Sequence, residues 1–221
     1  MNDRSTVVAD LLRAARLVAV LTIERVERVE QAVPLARALV AGGVRTLEIT
    51  LRTPVGADAA AAIQEAVADA VVGLGTVGTR RDLELAKSLG LPFAFSPGAT
   101  PDLLDAAVEL GIPFVPGIAT ASELLAAISR GFTTVKLFPA EQVGGVGALK
   151  ALAGPFPSVR FNPTGGVSEA NIGAYLALPN VVAVGGSWLA PAADVAAGNW
   201  DAITGRAQKA MALINGGSNH P

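Results

Sequence analysis

Lys136 differs from the other three lysines of this chain because it lies inside an apolar strand pattern. Lys87, Lys150 and Lys209 lie on helical patterns, where a solvent-exposed face accounts for a charged side chain. A lysine that is removed from water gives up its proton more easily, and a neutral amine attacks a ketone carbonyl to form a Schiff base. We therefore expect Lys136 to act as a covalent nucleophile on a small anionic keto acid.

Glu48 is the carboxylate expected beside this lysine. In the strand pattern 47–52 every second residue is apolar, and successive strand residues face opposite sides, so the polar residues share one face. These polar residues are Glu48, Thr50 and Arg52. A buried ion without a partner is strongly unfavourable, which leaves a structural salt bridge or catalytic chemistry as explanations. We expect Glu48 to move protons for Lys136 and Arg52 to bind a substrate carboxylate.

The strand pattern 159–164 contributes three more polar residues to the same inner face. By the same alternation they are Arg160, Asn162 and Thr164. Arg160 comes early in its strand and therefore near the bottom of a barrel, where residues serve stability. For Arg160 we favour a structural salt bridge over a catalytic role.

Two glycine pairs follow the last two strand patterns and predict a phosphate site. They are Gly165–Gly166 and Gly185–Gly186. Glycine allows backbone N–H groups to approach phosphate oxygens, and Ser168, at a predicted helix start, and Ser187 would add hydroxyl groups and a helix N-terminus. An ordinary turn is the alternative at each pair, but both pairs stand where barrels often bind phosphate.

Composition excludes several classes of chemistry. The chain of 221 residues has no cysteine, a net charge of −2 and 16% charged residues without a block of like charge. Disulfides, thiolate nucleophiles and cysteine-bound metals are therefore excluded, and neither nucleic acid nor a membrane surface is an expected partner. The one histidine, His220, lies in a glycine-containing tail that offers no rigid platform. We expect no metal site and no cofactor.

A glycine-rich segment, 73–78, fits the dinucleotide-binding pattern G-x-G-x-x-G and follows a strand pattern. The full fingerprint requires the first βαβ unit and an acidic residue at the end of the next strand. Here two units precede the segment, and the next strand pattern ends in Phe95–Gly98. Nucleotide binding is therefore disfavoured.

Eight short strand patterns alternate with Ala/Leu-rich helical patterns, which predicts an α/β fold with a parallel sheet. Glycines at 90, 111 and 131 end successive helices about one βα unit apart, and Thr120 with Glu123 forms a predicted capping box. We predict a single-domain (β/α)8 TIM barrel over residues 1–221, with an extra N-terminal helix at 6–15. The predicted strands are 18–23, 46–51, 70–75, 93–96, 113–116, 133–138, 159–164 and 181–185.

The apolar run 17–23 is short and is followed at once by alternating charges. A signal peptide or a membrane span would be longer or differently flanked. We therefore expect a cytoplasmic protein.

Together these motifs resemble the 2-keto-3-deoxy-6-phosphogluconate (KDPG) aldolases, which also act on 4-hydroxy-2-oxoglutarate (KHG). The resemblance covers nearly the whole chain. It is carried by the segments 41–44, 47–53, 75–77, 96–98, 115–117, 136–141, 163–167 and 185–189.

The resemblance implies a class I aldolase of the Entner–Doudoroff route, assembled as a homotrimer. It implies retro-aldol cleavage of KDPG to pyruvate and D-glyceraldehyde 3-phosphate, with Lys136 as the Schiff-base lysine and Glu48 as the proton shuttle. Arg52 and Thr76 would surround the pyruvoyl carboxylate. The other implied substrate-binding residues are Pro97, Phe138, Thr164, Gly165, Gly166, Gly186 and Ser187.

Three alternatives remain at this point. The galactonate-specific branch of the family resembles this chain, but tends to carry an aliphatic residue where Thr164 stands, so the hydroxyl favours the gluconate substrate. A barrel isomerase or synthase would grip a phosphorylated substrate without a covalent imine. A binding protein for phosphorylated ligands would keep its affinity without Lys136.

Overall fold

The computed structural model describes residues 3–24 and 29–216, so the tail with His220 lies outside the described residues. The strands are β1 Leu17–Leu21, β2 Thr46–Thr50, β3 Val71–Gly75, β4 Ala94–Phe95, β5 Phe114–Val115, β6 Gly117–Ile118, β7 Thr134–Leu137, β8 Arg160–Pro163 and β9 Val184–Gly186. The helices are α1 Asp3–Ala15, α2 Val29–Ala41, α3 Gly56–Ala66, α4 Arg80–Ser88, α5 Pro101–Leu110, α6 Ala121–Ile128, α7 Gly145–Ala153, α8 Ile172–Leu176, α9 Ala192–Ala197 and α10 Trp200–Gly216.

The strands pair in parallel, which confirms the predicted α/β class. One ladder runs in the order β5-β4-β3-β2-β1-β9 and a second in the order β6-β7-β8. The two ladders meet at Pro116, between β5 and β6, whose carbonyl accepts a hydrogen bond of 2.9 Å from the Lys136 N–H. At the other side, bridge pairs join Phe161 to Val181 and Thr164 to Gly185. The parallel sheet is therefore strongly curled.

Each of the eight predicted strand patterns contains strand structure, but two differ in detail. The fifth contains β5, and a further strand, β6, follows Pro116, which has no N–H group for the ladder. The eighth begins at Val184 instead of Val181, since Val181 forms only an isolated bridge. The remaining boundaries move by one or two residues, as helix and strand ends commonly do.

The helix ends follow the predicted chemistry. Thr100 and Thr120 accept hydrogen bonds from backbone N–H groups of the first turns of α5 and α6, and Glu123 completes the capping box at α6. The glycines at 90, 111 and 131 all have positive φ, between 64° and 87°. Both features bring each helix back to the next strand after a short connection.

The core has an outer and an inner part. The outer part packs the helices against strand residues such as Leu47, Ile49, Val135 and Leu137, which are the residues predicted to face outward. The inner part brings two residues of α1 against inner strand residues; its buried members are Val8, Leu12, Val18, Phe93, Phe95, Val115, Val182 and Ala183. In the described ranges, no helix combines the length and apolar character needed to cross a membrane.

Candidate active site

Lys136 and Glu48 form a buried ion pair. The Lys136 Nζ donates to both carboxylate oxygens of Glu48, at 2.8 Å to Oε1 and 3.0 Å to Oε2. The two side chains are 4% and 1% exposed. For ions this deeply buried, the attraction within a salt bridge offsets the free-energy cost of desolvation only when the geometry of the contact is good. The two hydrogen bonds between Lys136 and Glu48 meet that condition.

The strand alternation and the register explain how two residues 88 positions apart meet. Glu48 lies in β2 and Lys136 in β7, each between apolar residues that face the helices. Gly75 at the end of β3 leaves room for the carboxylate, because a Cβ built there would lie 2.2 Å from Glu48 Oε1. The absence of a side chain at Gly75 therefore leaves space for the acid on the neighbouring strand.

Aromatic rings surround the amine on two sides. The Lys136 Nζ lies 5.1 Å from the ring centroid of Phe95 and 5.6 Å from that of Phe138. Both distances are within the range of cation–π attraction, and both rings restrict the access of water. Phe138 also lines the cavity described next, so it connects the ion pair to that cavity.

The two glycine pairs meet in one cavity of about 100 Å³. Its lining includes most of the predicted substrate-binding residues: Arg52, Phe138, Thr164, Gly165, Gly166, Gly186 and Ser187, together with Val20, Val167 and Gly185. Gly165 and Gly166 have φ values of 97° and 80°, a backbone region that other residues rarely adopt. The predicted convergence of both glycine pairs is therefore present in the fold.

The absence of a side chain at Gly185 leaves space for the Thr164 hydroxyl. A Cβ built at Gly185 would lie 2.2 Å from Thr164 Oγ1. The hydroxyl donates to Asn162 Oδ1 at 3.2 Å, and Asn162 is completely buried. Asn162 and Thr164 thus face inward as predicted.

Two predicted binding residues lie outside the lining of this cavity. Thr76 follows β3, is partly buried and has a φ of 59°, which is unusual for a residue with a side chain. Pro97 follows β4, is exposed and packs its backbone against Gly117, where a Cβ would lie 2.3 Å from the Pro97 carbonyl carbon. Thr76 comes directly after β3 and Pro97 two residues after the neighbouring β4, at the same end of the sheet as Arg52.

Three expectations about individual side chains were wrong. Arg52 is exposed in the turn after β2 instead of being buried on the inner face, because β2 ends at Thr50. Arg160 forms no salt bridge with a carboxylate of the described chain; its Nη1 donates at 3.0 Å to the carbonyls of Pro157 and Val159. Ser168 does not start a helix, since α8 begins only at Ile172.

Ser187 brings a hydroxyl to the cavity beside the second glycine pair. It directly follows β9 and is exposed in the cavity wall, but the next helix begins at Ala192. The cavity wall therefore combines glycine backbone with a hydroxyl group.

The glycine-rich segment 73–78 has a packing explanation. A Cβ at Gly73 would lie 2.2 Å from the ring of Phe93, and Gly75 makes room for Glu48. Gly73 and Gly75 therefore serve side-chain packing inside the sheet. This agrees with the preference against a nucleotide site.

Sequence reasoning missed Phe95 and the phenol of Tyr175. Phe95 had the pattern of a core residue, and only the fold brings its ring to Lys136. Tyr175 donates a hydrogen bond to Glu141 next to the glycine cavity, a contact across 34 residues that no local pattern signals. Among the described residues, no group of three or more histidine, cysteine, aspartate or glutamate side chains is placed to hold a metal ion.

A family model, relatives of similar sequence and solved structures all indicate the same family for this chain. A family model for KDPG and KHG aldolase matches residues 8–206. The 2-dehydro-3-deoxy-phosphogluconate aldolase of Pseudoalteromonas atlantica is 52% identical over 187 residues, covering 85% of this chain and 87% of that protein. The KHG/KDPG aldolase of Escherichia coli K12 is 49% identical over 211 residues, covering 96% and 98%.

A solved structure is similarly close. The KDPG aldolase of Legionella pneumophila superimposes with a TM-score of 0.86 at 40% identity, covering 94% of this chain and 97% of that one. That crystal structure contains pyruvate captured at low pH as a covalent carbinolamine intermediate.

Proposed function

Because the chain belongs to the KDPG and KHG aldolase family, we propose that Lys136 and Glu48 are the residues with which it carries out class I aldol cleavage. The protein is an aldolase and therefore a lyase, and its substrate is KDPG. The observation that carries the residue assignment is the buried contact of 2.8 and 3.0 Å between the Lys136 Nζ and the Glu48 carboxylate.

We propose that proton transfer within this contact produces the neutral amine that the chemistry needs. Transfer of one proton from the ammonium to the carboxylate changes a charged pair into a neutral pair without moving any net charge into the core. The amine can then attack the C2 carbonyl of the substrate, and the protonated Glu48 can return a proton to the developing oxygen. One hydrogen-bonded pair thereby provides both the nucleophile and the acid.

The remaining steps follow from the imine. Loss of water from the carbinolamine forms an iminium ion, which accepts the electron pair of the C3–C4 bond when the C4 hydroxyl gives up its proton. D-Glyceraldehyde 3-phosphate leaves, the enamine is protonated at C3, and hydrolysis of the imine releases pyruvate. We assign the proton transfers to Glu48. Because the imine is the electron sink, this route requires no metal ion.

The cavity beside Lys136 supports the assignment of the substrate-binding residues. We propose that the N–H groups of the glycine pairs and the Ser187 hydroxyl bind the phosphate, and that Thr164 contacts a substrate hydroxyl. Arg52 and Thr76 would bind the carboxylate, because a guanidinium group pairs with a carboxylate through two parallel hydrogen bonds. Pro97 and Phe138 would pack against the pyruvoyl group.

The same site fits a second substrate. The E. coli relative carries both KHG and KDPG in its name. KHG has the keto acid head without the phosphate, so the Lys136 chemistry applies to it unchanged while the glycine pairs stay unused. We propose activity on both substrates.

We further propose that the curled sheet is a closed (β/α)8 barrel with α1 as an extra N-terminal helix, and that residues 1–221 form one domain. The bridges between Phe161 and Val181 and between Thr164 and Gly185 support closure of the sheet. A homotrimer and a place in the Entner–Doudoroff route are proposed on the family resemblance. A cytoplasmic location suits a phosphorylated substrate, because its charges keep it from crossing membranes unaided.

The central test is trapping of the imine. Incubation with pyruvate and borohydride should attach a reduced pyruvate adduct to the peptide that contains Lys136, detected by mass spectrometry. Lys136→Met should form no adduct and show no cleavage of KDPG. Absence of the adduct from wild-type protein would exclude covalent imine catalysis. It would favour the alternative of a barrel enzyme that acts without a covalent imine.

Loss of fold must be separated from loss of chemistry. Lys136→Met leaves the Glu48 carboxylate buried without a partner, a change that typically costs about 3–5 kcal/mol. Combining Lys136→Met with Glu48→Gln removes that charge. This double variant is expected to be more stable than Lys136→Met alone while still inactive. The single variant Glu48→Gln should keep the fold but lose turnover by roughly 10²- to 10⁴-fold.

A further inference from the structure

On the basis of the proposed phosphate site, we propose that the hydrogen bond between Tyr175 and Glu141 positions the Gly165–Gly166 loop and thereby sets the affinity for the substrate phosphate. Neither Tyr175 nor Glu141 lines the glycine cavity. Both act through the loop, so they are positioning residues.

Glu141 is joined to this loop by its main chain. Its N–H donates to the Gly165 carbonyl at 3.0 Å, and the N–H of the preceding Ala140 donates to the Thr164 carbonyl at 2.8 Å. The segment after β7 therefore runs alongside the segment after β8, and the orientation of the Gly165 peptide group depends on where Glu141 lies.

The side chain of Glu141 covers Gly166. A Cβ built at Gly166 would lie 2.4 Å from Glu141 Cγ and 2.6 Å from Glu141 Cβ. The aliphatic part of Glu141 thus rests directly on the Gly166 α-carbon. Displacement of this side chain would leave Gly166, which has a φ of 80°, free to adopt other conformations, because glycine has no side chain that restricts its backbone.

Tyr175 holds the Glu141 carboxylate in this place. The phenol is completely buried in α8 and donates a hydrogen bond to Glu141 Oε1. Burial, and then the bond to the carboxylate, raise the pKa of Tyr175 above its usual range. The hydroxyl therefore stays protonated, and remains a donor, at every pH at which the enzyme would be assayed.

A second contact comes from the turn before α8. Asn171 Nδ2 donates to the Gly166 carbonyl at 3.0 Å, and Asn171 Oδ1 accepts from the Ser168 N–H at 2.8 Å. Asn171, in the turn before α8, and Glu141, in the segment after β7, therefore contact the Gly165–Gly166 loop from two directions. The hydrogen bond from Tyr175 to Glu141 links these two contacts, because Tyr175 lies in α8 shortly after Asn171.

The direction of the loop N–H groups decides how well they bind phosphate, because hydrogen bonds weaken steeply when misaligned. The Lys136–Glu48 pair lies on β7 and β2 and is held by its own two hydrogen bonds. Weakening the Tyr175–Glu141 bond should therefore reduce phosphate affinity and leave the imine chemistry intact.

The charge of Glu141 allows its positioning role to be distinguished from an electrostatic role. A carboxylate near a bound phosphate repels it, so if charge were the main effect, Glu141→Gln would strengthen phosphate binding. The positioning role predicts the opposite sign, because an amide accepts a weaker hydrogen bond from Tyr175 than a carboxylate does.

The experiment compares wild type with Tyr175→Phe and Glu141→Gln on two substrates. We expect the KM for KDPG and the inhibition constant of inorganic phosphate to rise about tenfold, the size expected for loss of one hydrogen bond to a charged group. The KM for KHG, which has no phosphate, and kcat for both substrates should stay near wild-type values. Thr204→Val is the matched control, because it removes a hydroxyl that bonds the Ala38 carbonyl in the outer helical layer, far along the chain from the loop.

Other outcomes would overturn the inference. Variants that lower Tm but keep the wild-type ratio of the two KM values would show a merely structural bond. Tighter inhibition by phosphate in Glu141→Gln would show an electrostatic role. A wild-type protein that is insensitive to phosphate and prefers KHG would overturn the proposed phosphate site itself, which is a result distinct from the first two.

Discussion

At the scale of single residues, the site depends on which neighbours leave space for its charges. Glu48 and Lys136 are long side chains that meet in a crowded sheet. Gly75 provides the space for Glu48, and Gly185 provides it for Thr164. The two glycines thus shape the candidate site although they bring no functional group of their own.

Gly75→Ala is predicted to inactivate the enzyme without unfolding it. The new methyl group would lie 2.2 Å from Glu48 Oε1 and would displace the carboxylate from Lys136. Loss of a positioned acid–base group lowers turnover by roughly 10²- to 10⁴-fold, measurable as kcat for pyruvate release in a coupled assay.

Gly78→Ala is the matched control for this variant. Gly78 belongs to the same segment, and a Cβ there meets nothing within 4 Å. Its kcat should remain close to that of wild type. Equal losses in both variants would contradict the role given to Gly75.

At the scale of elements, capping boxes fix where the helices begin and hence where the preceding strands end. In α6, Thr120 Oγ1 accepts from the Glu123 N–H, while the Glu123 carboxylate accepts from the N–H groups of Ala119 and Thr120. Burial raises the pKa of Glu123, but the hydrogen bonds from Ala119 and Thr120 together outweigh it and leave the pKa below its usual range.

This lowered pKa predicts a pH-dependent contribution of Glu123 to stability. A carboxylate whose pKa is lower in the folded state stabilises the fold above the pKa of the unfolded chain. The contribution disappears as the pH falls through the folded-state pKa. Glu123→Gln should therefore lower the free energy of unfolding at pH 7 and have a smaller effect at pH 3, as measured by urea denaturation.

Two further variants test this prediction. Thr120→Ala removes the other half of the box and should cost about 1 kcal/mol. Glu65→Gln is a control on α3, since Glu65 is exposed and has no hydrogen-bond or ion-pair partner in the described part of the chain. A pH dependence as large in Glu65→Gln as in Glu123→Gln would contradict the explanation.

At the scale of the whole molecule, the last helix closes the helical layer over the first βα unit. Gly42, just after α2, lies against α10: a Cβ there would be 2.4 Å from Ala207 Cβ and 2.7 Å from the Thr204 carbonyl oxygen. A hydrogen bond also links the last strand to the start of the first. The Val184 N–H donates at 3.0 Å to the carbonyl of Arg16, which directly precedes β1. The two ends of the described chain therefore stabilise each other.

Gly42→Ala is predicted to destabilise the protein by about 1–3 kcal/mol through overpacking. Gly205→Ala, on α10, should have the opposite effect, because it meets nothing within 4 Å and alanine favours a helix by about 1 kcal/mol. Thermal unfolding of the two variants measures both changes. A shift of Tm in the same direction for both would contradict this description of the α2–α10 contact.

The sequence alone was sufficient for the α/β class, for the positions of the strands and for the helix caps. These features depend on neighbours a few residues apart, such as Thr120 and Glu123, or on the alternation around Glu48 and Lys136, and such short-range patterns can be read directly. The same patterns singled out Lys136, Glu48 and the two glycine pairs as candidate site residues.

Only the tertiary structure decided which of these residues touch. Phe95 lies beside Lys136, Tyr175 bonds Glu141, and Gly75 accommodates Glu48 because the sheet curls and brings distant strand ends together. It also decided that Arg52 lies in a turn and that Arg160 bonds carbonyls instead of a carboxylate. The physical reason is that contacts between residues far apart in the chain depend on the register and curvature of the whole sheet, which no local pattern encodes.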